Sequence, residues 1–205
     1  MTRKLFGTTL AIAVLTALPL TPIFAQESTS TGSAAQTAAL PNTALVFGKL
    51  EIAMSQANPD SKEFGQAVAE YWKLITASSD GGRAYNFFRA LTAEQKTPNA
   101  TLLAMRASAD CNYIGWLVQA NLVDSFGQPR IAQLEEQAHA DFDEALKLDP
   151  QNFSALYGYA VYDGYRPGAQ AHQKELLTRL DALRASRPYY PWQLVDTLEK
   201  NGKPQ

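Results

Sequence analysis

The sequence predicts an all-α fold of antiparallel helical hairpins, irregular in length, ending in a short C-terminal capping helix. Three observations carry that expectation. From position 42 onward the apolar residues recur at helical spacing. Short groups rich in Pro, Gly, Asp and Asn break the pattern into segments of helix length. No stretch alternates apolar and polar residues for long enough to argue for a strand. The chain has 205 residues, room for one domain or at most two small ones.

The elements follow in order. A first helix is expected at about Thr43 to Gln56, carrying Leu45, Val46, Leu50 and Ala53. Asn58-Pro59-Asp60-Ser61 combines capping residues with a proline, which suits a helix start. Behind it Phe64, Ala67, Val68, Tyr71, Leu74 and Ile75 share one helix face. Asp80-Gly81-Gly82 reads as a turn, followed by a short aromatic helix with Tyr85, Phe87, Phe88 and Leu91. Thr97-Pro98 opens a longer helix, Thr as cap and Pro in the first turn, running to about Val123. Asp124 to Pro129 closes it. The next helix spans about Pro129 to Leu148, and Asp149-Pro150-Gln151-Asn152 ends it. The same residues cap a helix at about Phe153 to Tyr165. Arg166-Pro167-Gly168 turns the chain into Ala169 to Ser186, where Leu176, Leu177, Leu180 and Leu183 lie on one face. The capping helix holds Trp192, Leu194, Val195 and Leu198.

The first 25 positions read differently. Arg3 and Lys4 precede a nearly uncharged apolar run from Leu5 to Leu20, and Ile23-Phe24-Ala25 supplies a small residue for cleavage. That order is expected of a secretory signal peptide at 1–25, and it places the mature protein in the periplasm or outside the cell. A retained N-terminal anchor is the alternative, and the only route to a membrane. Residues 26–41 are rich in Ser, Thr, Ala and Gln without an aromatic residue, so a flexible tether is expected there. An all-helical domain at 42–205 follows. Cleavage would remove two of the 18 basic residues and none of the 20 acidic ones, moving the formal charge from −2 to −4. A mildly acidic chain lacks the basic footprint of a nucleic-acid binder. Cys111 is the only cysteine, so no internal disulfide framework exists. Its apolar neighbours favour a buried thiol over an intermolecular link.

Ala138, Phe142, Ala145 and Pro150 have a small-aromatic-small-proline spacing. Small residues let helices approach, the aromatic fills the space between units, and the proline stops the helix. In this pattern the run Ala138 to Leu156 resembles the junction between two tetratricopeptide repeats. Leu176 and Leu180 follow Phe142 and Leu146 at about the 34-residue period of that family. The match covers Ala138 to Ser186. Upstream, Gln66 to Tyr71 is a weaker echo of Gln137 to Phe142. Pro59 and Gly127 to Pro129 fall inside what strict register would make first helices, and Arg179 stands where a small residue is usual.

The resemblance implies an exported, non-catalytic protein-binding or scaffolding module whose first helix of a hairpin grips a partner. Tyr157, Val161 and Tyr165 recur every four residues and would form that stripe, with Gly158 allowing close approach. Such a stripe suits an apolar peptide segment, with tyrosine hydroxyls as hydrogen-bonding groups. Packing against neighbouring helices is the alternative. Tyr157 and Val161 do not match the Lys and Asn with which some members clamp a terminal carboxylate. Arg187 and Tyr190, with Arg184, Tyr189 and Trp192, form a second arginine–aromatic cluster of interface type. Its prolines, Pro188 and Pro191, equally suit a turn. His139 and Asp143 share a helix face, with His172 one repeat later, a weak set of metal candidates. Solvated polar side chains explain them more simply, so no metal or cofactor is expected. No nucleophile elbow is present. Glu63, Glu70 and Glu94 are available carboxylates, but nothing singles one out. An envelope enzyme, a metal- or small-molecule-binding helical protein, and a self-associating structural subunit are the other readings.

Overall fold

The structure, a computed structural model, describes residues 43–188 and 190–202. The expected signal segment and tether, and Tyr189, lie outside the described residues. Among the described residues there are nine helices and no strand. They are α1 (Thr43–Gln56), α2 (Lys62–Ser78), α3 (Gly81–Ala93), α4 (Ala100–Gln119), α5 (Val123–Phe126), α6 (Gln128–Leu148), α7 (Phe153–Asp163), α8 (Gln170–Leu183) and α9 (Trp192–Asn201). Two compact units result, residues 43–78 and residues 79–202. None of these helices is long and apolar enough to cross a membrane.

The first unit is the α1–α2 hairpin. Ser61 starts α2, its hydroxyl accepting from the Phe64 N–H at 3.1 Å. Phe64, Ala67, Tyr71 and Ile75 form the buried stripe that their spacing predicts. Phe47 meets Tyr71 edge-on at 5.3 Å, and the Tyr71 hydroxyl donates to Glu51 at 3.0 Å. The ring is thus buried while its polar tip is satisfied.

In the second unit α4 is central, with α3, α6 and α7 packed around it. Ala100, Ala104, Ala107 and Ala109 are buried along it and let those neighbours approach. Two ion pairs set the register. Arg89 of α3 forks onto Asp110 of α4 at 3.0 and 2.7 Å. Arg106 of α4 forks onto Asp141 of α6, both contacts 2.6 Å. Bidentate pairs of this kind specify geometry, because a slipped register leaves a buried carboxylate alone. α7 and α8 form the next hairpin, and α7 also packs on α4 and α6. Ala138, Phe142, Leu156, Tyr159, Ala160, Leu176, Leu180 and the α9 residues Trp192, Val195 and Leu198 share one core cluster. Gln173 ties the end down, its amide donating to the Ala160 carbonyl at 2.9 Å and to that of Gly202 at 2.8 Å. Packed hairpins joined helix to helix in this way are compatible with a helical repeat.

Local details differ from the expectation at three places. Asn99, not Thr97, caps α4, its side chain accepting from the Leu102 N–H at 3.0 Å. Pro98 therefore precedes the cap instead of sitting in the first turn. Gly81 and Gly82 open α3 under an Asp80 cap instead of forming a free turn. A Cβ at Gly81 would stand 2.7 Å from Trp116 Cβ, so the glycine lets α3 sit close on α4. Finally, Val123–Phe126 is one helical turn, and Gly127 reverses the chain at φ 98°.

Candidate functional site

Asn152 starts α7, accepting from the Ala155 N–H at 3.0 Å while its amide donates to Thr101 of α4 at 3.0 Å. That double contact sets the rotation of α7 and hence what each face meets. α7 ends at Asp163, so Tyr165 falls in the turn after it and not on the expected helix stripe; Tyr157, Val161 and Tyr165 are all half-buried. Tyr157 and Val161 pack on the edge of the core cluster. Tyr157 stacks on Phe153 at 5.9 Å, and burial, then the nearby Tyr165, push its hydroxyl pKa up to about 12. Phe153 also meets Tyr190 at 4.5 Å and Trp192 at 5.5 Å. Arg187 donates to the Tyr190 hydroxyl at 3.3 Å, and the Trp192 indole donates to the Arg187 carbonyl at 2.9 Å. Tyr157 and Tyr190, distant in sequence, thus meet in one aromatic cluster on Phe153. Gly158 is placed elsewhere. Its Cβ would stand 2.7 Å from Ser108 Oγ and 3.0 Å from Phe142 Cε1. The close approach it permits is internal, between α7 and the side chains of α4 and α6.

Another face of α7 carries polar groups. Tyr159, Asp163 and Arg166, with His139 of α6 and His172 of α8, line an open cleft of about 470 Å³ rimmed by Pro167, Gly168 and Ala169. The Tyr159 ring stacks on Phe142 at 4.8 Å, and its hydroxyl lies 2.9 Å from His139 Nδ1. Burial, then the Asp143 and Asp163 carboxylates, raise the Tyr159 pKa, so the phenol keeps its proton. Burial, reinforced by the Arg166 charge, lowers the His139 pKa and favours neutral imidazole.

Asp163 organises the opposite side. His172 Nδ1 lies 2.6 Å from one of its oxygens, and Arg166 donates to the other at 3.3 Å. The Asp163 side chain is 0% exposed, whereas His172 keeps 40% and Arg166 42%. The buried acid therefore acts as a post, holding two basic groups that face solvent. Arg166 also lies 5.3 Å over the Tyr162 ring. Each imidazole is held through Nδ1, and among the described residues neither Nε2 has a hydrogen-bonding partner.

Of the metal candidates, His139 and His172 line one cleft, whereas Asp143 is near the Tyr159 hydroxyl and does not line it. Among the described residues no three His, Cys, Asp or Glu side chains gather as a metal-holding group. Cys111 is half-buried against the core, and desolvation pushes its thiol pKa well above the ordinary value, which disfavours a reactive thiolate. Sequence reasoning missed Tyr159, Asp163 and Arg166 as cleft residues. An acid four residues after a tyrosine on an apolar helix, Tyr159 and Asp163, is the signal that the sequence offers. No family model, curated protein or solved structure matches this chain.

Proposed function

We propose that this chain is an exported, non-catalytic binding module of the cell envelope, built from tetratricopeptide-like hairpins. It grips an apolar peptide segment of a protein partner across the aromatic edge of α7. One observation supports this reading above others. Tyr157 and Tyr190 meet on Phe153 while remaining half-buried, so an aromatic ledge is left partly open to solvent. Rigid aromatic side chains with a neighbouring arginine are the usual anchors of protein interfaces. Export rests on the order of charge, apolar run and small residue at 1–25.

Crosslinking and pull-down of the tagged protein from its native envelope tests the reading. Tyr165→Ala with Tyr190→Ala should lower recovery of a specific partner at least about ten-fold, the loss typical of interface anchors. Far-UV circular dichroism should remain native. Tyr157 and Tyr190 both pack against the core cluster, so the spectrum is compared on the double variant itself. Equal recovery by wild type and variant removes the aromatic ledge as the grip. A small-molecule role is favoured by a different observation, the polar cleft.

A further inference from the structure

The chain has two histidines, and both line the same cleft. We propose that this cleft binds a small organic monocarboxylate. Its volume of about 470 Å³ falls within the roughly 300–1,000 Å³ of small-molecule sites. Arg166 gives one N–H to Asp163, at the long distance of 3.3 Å, and its side chain, 42% exposed, lines the cavity. A guanidinium fork is matched in shape and charge to a carboxylate. His172 stands beside it, its Nδ1 fixed by Asp163 and its Nε2 left for a ligand oxygen. Asp163 itself repels little, because both of its oxygens are already engaged by Arg166 and His172.

The other walls define the rest of the ligand. The Tyr159 ring, Pro167 and Ala169 present carbon surface to an organic body. The Tyr159 hydroxyl and His139 form a neutral hydrogen-bonding pair across from Arg166. The first turn of α8, which no side chain caps, borders the same opening and adds a partial positive charge. The site rests on the side chains, and this charge only reinforces it. Asp143 near Tyr159 and Glu135 near Arg166 limit the charge the cleft accepts. Asp163 is already matched by its two basic partners, while Asp143 and Glu135 both oppose added negative charge, so the single guanidinium is matched to no more than one carboxylate. The occupant is therefore a monoanion, not a dicarboxylate or a phosphate.

The two histidines make a direct reporter, since every imidazole Hε1 resonance of the chain comes from this cleft. The purified protein is titrated with butyrate and benzoate, and separately with succinate and inorganic phosphate, at ionic strength matched by sodium chloride. Both histidine signals should move saturably with the monocarboxylates. Arg166→Gln should weaken the apparent affinity by about ten-fold or more, as expected for loss of a charge-assisted pair. Ala169→Glu places a like charge on the rim without touching Asp163 and should do the same. Lys147→Ala, at an exposed position of α6 outside the cleft, should leave the titration unchanged. The proposal is overturned if monocarboxylates move neither signal beyond chloride. It is equally overturned if phosphate or succinate binds more tightly, or if both cleft variants, natively folded by circular dichroism, titrate like wild type.

Discussion

Gly158→Ala separates a glycine that admits a partner from one that admits a neighbouring helix. In an open helix position, replacing Gly by Ala stabilises by about 0.5–1 kcal/mol, because the unfolded chain loses freedom. At Gly158 the added methyl would stand 2.7 Å from Ser108 Oγ, 3.0 Å from Phe142 Cε1 and 3.2 Å from Phe142 Cζ. Phe142 is fully buried and stacked on Tyr159, so it has little room to yield. Overpacking of this kind costs about 1–3 kcal/mol. The two effects leave a net change between none and a loss of about 2.5 kcal/mol, against a gain at an open site. Ser108→Ala removes the nearest atom but leaves Phe142. In that background Gly158→Ala should become less unfavourable by about 0.5–1.5 kcal/mol. Gly65→Ala in α2, where nothing lies within 4 Å of the added methyl, is the control and should stabilise. Urea denaturation followed by circular dichroism measures each variant, reading a change in midpoint at constant slope. If Gly158→Ala stabilises as Gly65→Ala does, or Ser108→Ala fails to relieve it, the internal placement of Gly158 is wrong.

Two further predictions concern buried charge. Arg89→Ala strands the fully buried Asp110 carboxylate and should cost about 3–5 kcal/mol at neutral pH. Asp110→Asn leaves Arg89, 35% exposed, free to hydrate and should cost less than about 1 kcal/mol. Because burial already raises the Asp110 pKa, the Arg89→Ala loss should shrink in acid; equal losses for the two variants in urea denaturation would refute the asymmetry. His139 should make stability fall on acidification. Burial and Arg166, opposed by Asp163 and Asp143, hold its folded pKa below 6.5. The unfolded chain then takes the proton first, so stability is full above about 6.5 and is lost as pH drops below it. His139→Gln should flatten that part of a Tm-against-pH profile, and an unchanged profile would remove His139 as its source.

The helices were legible because hydrophobic period, caps and breakers are local properties. Phe64 to Ile75 share a face by spacing alone, and Ser61 and Asn152 cap because their short side chains reach the backbone two or three residues on. Leu156, Tyr159 and Ala160, spaced three and four apart, are buried on one face of α7. Cap position was harder to read. Thr97 and Asn99 both suit that role, and only the chain path over Pro98 chose between them.

By itself, the sequence determined the helical class, the order and approximate bounds of the elements, and which residues of α7 lie in line along the helix. The tertiary structure alone decided which neighbour covers each line. A helix period says that Tyr157, Val161 and Tyr165 line up, but not that Phe153 brings Tyr157 to Tyr190. Nor does it say that Gly158 turns toward Ser108, or that Asp163 meets His172 and Tyr159 meets His139. Those pairings join different helices. They depend on how α7 is rotated against α4 and how the Arg166–Ala169 turn returns α8. No local spacing contains either quantity.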